Sequence, residues 1–173
     1  MPKNELDLFL DAWDREAANT VRLLEALPPA HYDFRPDPGG RSIGELAWHL
    51  AEGDAYISFA IDNGTFDLQA KPPDIERPRT IEALAPGYER VHRAAADRIR
   101  KLTLDDLERT VDFFSEHRAI RDLLWEAILF HGIHHRGQLT LLVRQAGAEV
   151  PGLYGPNREE TAARRAARAH ATA

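Results

Sequence analysis

Three of the 8 histidines in the chain fall within five residues, His131-Gly132-Ile133-His134-His135. Imidazole is the commonest side-chain metal ligand and an acid or base near neutrality, so this cluster is the first candidate for chemistry. The cluster sits in the middle of the longest apolar helical pattern, about Ala119 to Ala146, ahead of Gly147 and Pro151. At about 100° per residue, Asp122, Glu126, Arg136, Thr140 and Arg144 share one side, the expected solvent face. Opposite them fall Leu124, Ile128, His131, His135, Gln138 and Leu142. His131 and His135 are thus stacked one turn apart on the inward stripe, with His134 rotated to its flank.

A buried imidazole must place both an N–H and a lone pair, and an unsatisfied group costs on the order of 1–3 kcal/mol. For a single inward histidine, a hydrogen-bonded core residue is the ordinary explanation. For two at i and i+4 a divalent metal competes with it, because both ring nitrogens can converge on one point. The zincin pattern is absent, since Gly132 stands where that motif carries its glutamate base. The candidate third ligand is His49, at the edge of a stripe formed by Leu46, Leu50 and Ile57, near the small residues Gly53 and Ala60. Glu52 is either a surface carboxylate, a partner that orients a histidine, or a base. His31, His92, His117 and His170 lie in loops, beside charges or near the C-terminus, and read as solvated.

Four amphipathic segments must position these residues. The first begins at Asn4, a good N-cap, carries Leu6, Phe9, Trp13, Ala17, Val21 and Leu24 at helical steps, and stops at Pro28-Pro29. Pro36-Asp37-Pro38-Gly39-Gly40 marks a turning loop. Ser42-Ile43-Gly44-Glu45 has the form of a capping box and opens the second helix, which ends at Asn63-Gly64. A third helix opens at Thr80 or just after and runs to about Leu102, with Pro86 tolerated near its start. Residues 103–117 are read as irregular, although Thr110-Val111-Asp112-Phe113-Phe114 alternates weakly, and no convincing strand pair is seen. Residues 157–173 form an Ala- and Arg-rich tail, a frayed surface helix or disordered, after a bundle spanning residues 1–156. Four long helices without repeats predict an all-α four-helix bundle.

Composition narrows the function. The 22 Lys and Arg against 28 Asp and Glu leave a net charge of −6, which does not favour nucleic-acid binding. No run approaches the roughly 18 apolar residues of a membrane span, and no secretory leader pattern opens the chain, so a cytoplasmic location is expected. With Cys 0, disulfides, cysteine-ligated zinc, iron–sulfur clusters and a thiol nucleophile of the protein's own are excluded. Thiol chemistry here would need an external thiol.

Arg41-Ser42-Ile43-Gly44-Glu45-Leu46 leading to Trp48-His49-Leu50 resembles the second helix of the DinB-like, damage-inducible group of four-helix-bundle metalloproteins (YfiT/DinB type). His131, His134-His135, Arg136-Gly137-Gln138-Leu139 and Val150-Pro151-Gly152-Leu153-Tyr154-Gly155 extend the resemblance to about residue 156. The resemblance implies His49, His131 and His135 as the metal ligands, with His134 excluded. It further implies an up, up, down, down style of bundle with long crossover connections, zinc or nickel as the metal, and a homodimer. Members with known activity are metal-dependent transferases using bacillithiol, mycothiol or glutathione, and one branch is a thiol-dependent maleylpyruvate isomerase. The expected function is therefore a metal-dependent transferase that activates a low-molecular-weight thiol against a small electrophile. A hydrolase using metal-bound hydroxide, assisted by Glu52, and a non-catalytic metal-binding stress protein are the alternatives.

Overall fold

The helices start where side chains can satisfy their unpaired amides. The computed structural model describes residues 2–171; Met1 and the last two residues of the expected tail, Thr172 and Ala173, lie outside the described residues. Helix α1, Glu5–Glu25, opens on a capping box in which Asn4 Oδ1 accepts from the Asp7 amide at 2.9 Å. Helix α2, Ile43–Asn63, opens on the Ser42/Glu45 capping box and closes on Gly64 in the left-handed region (φ 74°). Helix α3, Leu84–Ile99, starts later than Thr80. That start puts Pro86 in the first turn, where its missing N–H has no intrahelical partner to lose.

The fourth helix, α4, covers residues 120–145 in three stretches: α-helical Ile120–Asp122, π-helical Leu123–Phe130 and α-helical His131–Gln145. The π stretch corrects the expected faces of this helix. Its i→i+5 bonding advances each residue by less than the α-helical 100° or so, so residues beyond it are rotated relative to those before it. Arg136, placed on the solvent face by a uniform period, is instead 2% exposed, while Gln138, placed inward, is exposed.

Residues 103–117 are also more regular than expected. Strands β1, Thr110–Phe113, and β2, Glu116–Ala119, pair antiparallel with Phe113 opposite Glu116, leaving Phe114-Ser115 as a two-residue turn. The loop after α2 joins this hairpin: the Phe66 amide donates to the Asp112 carbonyl at 2.7 Å, and the Asp112 amide to the Gly64 carbonyl at 3.1 Å. The tail forms helix α5, Arg158–Ala171, on the surface. Arg144 binds the Glu159 carboxylate at 2.7 and 2.9 Å, and Asn157 Oδ1 caps the Glu160 amide at 2.6 Å.

Side-chain pairs show the direction of each helix. Glu5 pairs with Arg121 and Glu16 with Arg136, so α1 and α4 run the same way. Asp54 pairs with His92 and Asp62 with Arg98, so α2 and α3 are parallel to each other. Asp14 reaches Arg100, while Gly53 and His49 meet His131, and these contacts make the two pairs antiparallel. The order is up, down, down, up, and not up, up, down, down; the parallel crossover joins α2 to α3. That crossover is pinned by the Trp48 indole donating to the Ile75 carbonyl at 3.0 Å and the Tyr32 hydroxyl to the Pro78 carbonyl at 2.5 Å. The result is an all-α four-helix bundle with long connections and one small hairpin. Its core falls into two apolar clusters, one around Trp48, Leu84 and Leu139, the other around Phe9, Ile61 and Leu123.

Candidate metal centre

Antiparallel packing of α2 on α4 brings His49 to His131 and His135. One ring nitrogen from each lies within 4.8 Å of the other two. Ring centroids are 5.1 Å apart for His49–His131, 4.6 Å for His49–His135 and 4.3 Å for His131–His135, every pair edge-on at 72–79°. The i,i+4 spacing places two rings on one helix, and a small residue makes room for them. A Cβ on Gly53 would stand 3.3 Å from His131 Nδ1. Ala60, the other small residue near His49 in sequence, belongs to the second apolar cluster instead.

Neighbours orient two of the rings. His49 Nδ1 lies 3.1 Å from Glu52 Oε2, and His135 Nδ1 lies 2.7 Å from Gln138 Oε1. Both acceptors hold a proton on Nδ1 and leave the Nε2 lone pair free, as a metal-ligating histidine requires. Gln138 is fixed in turn, because its Nε2 sits 3.0 Å from His134 Nε2 and donates to it. His134 thus acts on the cluster through Gln138, with its own ring exposed.

Burial pushes the His131 imidazole down to about 4, and the charges of His135, His49, His134 and Arg41 act in the same direction. His135 is also lowered, by burial first and by the same neighbours, against its hydrogen bond to Gln138. These two rings are neutral at pH 7, so there is no proton on their lone pairs for an ion to displace. The donor set therefore fits a divalent metal: three imidazoles from two helices, two with a positioned N–H acceptor and no cysteine among them.

The cluster opens onto a cavity of about 560 Å³. Its wall runs from His49, Glu52 and His131 to Tyr56, Phe66, Phe113 and Phe114, and Arg41 and Arg118 also line it. Glu52 lines the cavity and lies against His49. The aromatic wall was not singled out from sequence. Its one signal there is the adjacent pair Phe113-Phe114 in a polar stretch.

His92 corrects the expectation that it is solvated. Its side chain is 12% exposed, with Nδ1 2.9 Å from Asp54 Oδ2, and the Trp13 indole donates to Asp54 Oδ1 at 3.2 Å. Burial opposes its charge, but Asp54 and Asp14 outweigh burial and raise its pKa above the ordinary value. The carboxylates that hold it come from α1 and α2, far from it in sequence. Arg136 was missed in the same way. It donates to the Glu16 carbonyl at 2.7 Å and Thr20 Oγ1 at 3.0 Å, and also binds the Glu16 carboxylate and the Tyr154 hydroxyl. His117, by contrast, is largely exposed against Asp112 on the hairpin.

Fold and site together define an all-α four-helix bundle whose two antiparallel helices present three histidines positioned to bind a metal. The sequence profile of the DinB family matches residues 1–168, and the chain belongs to that family. It is similar to the uncharacterized protein YrdA of Bacillus subtilis (strain 168), with 32% identity over 158 residues, 91% of this chain and 92% of YrdA. Similarity to YjoA of the same organism is 27% over 136 residues, 76% of this chain and 85% of YjoA. Among solved structures, a DinB-like protein from Bacillus cereus ATCC 10987 superposes with a TM-score of 0.71 at 31% identity, covering 84% of this chain and 95% of that one. The crystal structure of YjoA gives 0.69 at 26% identity, over 84% and 97% of the two chains. Among the described residues no helix is long and apolar enough to cross a membrane.

Proposed function

We propose that this protein is a divalent-metal-dependent transferase that activates a low-molecular-weight thiol against a small electrophile, with zinc or nickel held by His49, His131 and His135. The observation that carries this reading is the juxtaposition of a three-imidazole site with a cavity large enough for a small molecule. A divalent ion held by three neutral imidazoles would keep its full charge and would supply the acidification of a thiol at neutral pH. The chain has no cysteine, so the thiol arrives as a cosubstrate of bacillithiol, mycothiol or glutathione type. In the reaction the thiol loses its proton, its sulfur bonds to carbon, and the electron pair of the broken bond leaves with the displaced group.

The chain's own residues set the stage. Glu52 and Gln138 hold the rings of His49 and His135 in place. Tyr56, Phe66, Phe113 and Phe114 give the electrophile an apolar wall beside the triad. Glu52 is engaged by His49, so it does not stand free as the base that a hydrolase would need. The experiment is conjugation of each of the three thiols to a chlorinated aromatic acceptor, using protein purified without chelator or metal-affinity tag. Wild type is expected to catalyse with at least one thiol, and His131→Ala is expected to lose both the metal and the activity. Full metal and no conjugation with any thiol would overturn the transferase reading.

A further inference from the structure

On the transferase reading, on which this inference rests, the thiol approaches the triad and the electrophile must be held beside it. We propose that the cavity between α2 and the hairpin is the electrophile site and that it selects an aryl body carrying one anionic group. The ring is received by Tyr56, Phe66, Phe113 and Phe114, and the anion by Arg41.

Three observations carry this. The first is the wall itself. Phe66, Phe113 and Phe114 stand 4.7–4.9 Å apart by ring centroid at tilted to edge-on angles, and Tyr56 continues the row at 6.5 Å from Phe66. Such a row offers a planar guest both faces and edges, and a volume of about 560 Å³ accommodates one or two rings.

The second is the hairpin tip. Phe114 and Ser115 have φ of 47° and 71°, the left-handed region, where a two-residue turn ordinarily carries Asn or Gly. The chain adopts this unfavourable conformation with a phenylalanine that is 66% exposed and whose ring packs on Phe66 and Phe113 in the cavity lining. A left-handed backbone that holds a large, mostly exposed apolar side chain at the end of this row points to a ligand.

The third is the pairing of the charged side chains in the lining. Glu52 accepts from His49 Nδ1, and Arg118 binds Glu126. Arg41 has no hydrogen bond or ion pair among the described residues, so its guanidinium is open to an anion entering the cavity. Arginine is suited to a carboxylate or similar oxyanion, which it binds through two parallel N–H groups.

The test is calorimetric binding of 1-naphthylacetate and its uncharged analogue 1-naphthylacetamide to the zinc-loaded protein and its variants. The acid is expected to bind wild type about tenfold more tightly than the amide, and Arg41→Gln to bring the two within about twofold. Phe114→Ala is expected to weaken both ligands about tenfold with an unchanged unfolding temperature, because its ring is outside the core. His135→Ala, which addresses the metal site, should keep the dependence on Phe114. Equal binding of acid and amide to wild type, binding that Phe114→Ala leaves intact, or an Arg41→Gln defect confined to the thiol would each overturn the assignment. Binding as expected with no thiol conjugation would remove the transferase reading and keep the cavity assignment. Conjugation of small non-aromatic electrophiles without binding of the naphthyl acid would do the reverse.

Discussion

His131 on α4 and His92 on α3 both turn inward in the same bundle, and their surroundings push them in opposite directions. Burial works against the charged form of each. Around His131 the neighbours are two other imidazoles, the flanking His134 and a cation, Arg41, and all of them add to the effect of burial. Around His92 they are the carboxylates of Asp54 and Asp14, with the ring packed edge-on against Trp13 at 4.6 Å and stacked on Tyr88 at 5.7 Å. Burial alone therefore does not tell a ligand-ready histidine from a structural one. The neighbours decide: imidazoles converging on one point leave lone pairs to be used, whereas a buried carboxylate takes the ring's proton-bearing nitrogen and ties three helices together.

The sharpest separation of the two is metal content. His49→Ala, His131→Ala and His135→Ala should each take the metal from about one ion per chain to none, while His92→Ala should leave it at the wild-type level. Elemental analysis of the four proteins reads this directly, and full metal in His131→Ala would sink the ligand assignment.

Asp54→Ala should act on the other cluster. It strips the partner from a buried histidine and from the Trp13 indole, a loss of about 3 kcal/mol in unfolding free energy by chemical denaturation. Metal stoichiometry should not change. A variant as stable as wild type would show that the Trp13–Asp54–His92 network contributes nothing to the fold.

The pH dependence should divide along the same line in the metal-free protein. A histidine with a raised folded pKa stabilises fully below its unfolded value and loses that contribution as pH rises through the folded value. His92 is of this kind, so it favours the fold below about pH 6.5 and less so above. His131 and His135 are lowered, so their contribution is present above about pH 6.5 and is lost as pH falls, toward about 4 for His131. Thermal unfolding across this range should show His92→Gln flattening the alkaline side and His131→Gln the acid side. Identical profiles for the two variants would contradict the opposed shifts.

The smallest effect belongs to His134→Ala. Its ring reaches the cluster only through Gln138, so the variant should still bind one ion, with affinity lowered by less than about tenfold in a chelator competition. A loss of stoichiometric metal would instead make His134 a ligand.

Much of the bundle was legible from local sequence because helices are local objects. Asn4 and Ser42 capped the helices they were expected to cap, and Gly64 closed α2. The i,i+4 pair His131 and His135 needed only the period of one helix to be brought together. His49 was harder, since its meeting with them depends on how α2 packs on α4, and only its place at the edge of an apolar stripe pointed to it.

What tertiary structure alone decided has a common physical reason: it depends on contacts between residues far apart in the chain. The π stretch in α4 broke the uniform period, which turned Arg136 into the core and Gln138 outward. The hairpin has no local signature, because its turn, Phe114-Ser115, carries none of the residues that mark such turns, and it pairs with the loop that holds Phe66. His92 looked solvated because the carboxylates around it come from α1 and α2. Sequence by itself determined the helices, their caps and two of the three clustered histidines. The direction of the helices, the third histidine's approach and the aromatic cavity beside them were decided by packing, where non-local burial outweighs any preference a short segment can express.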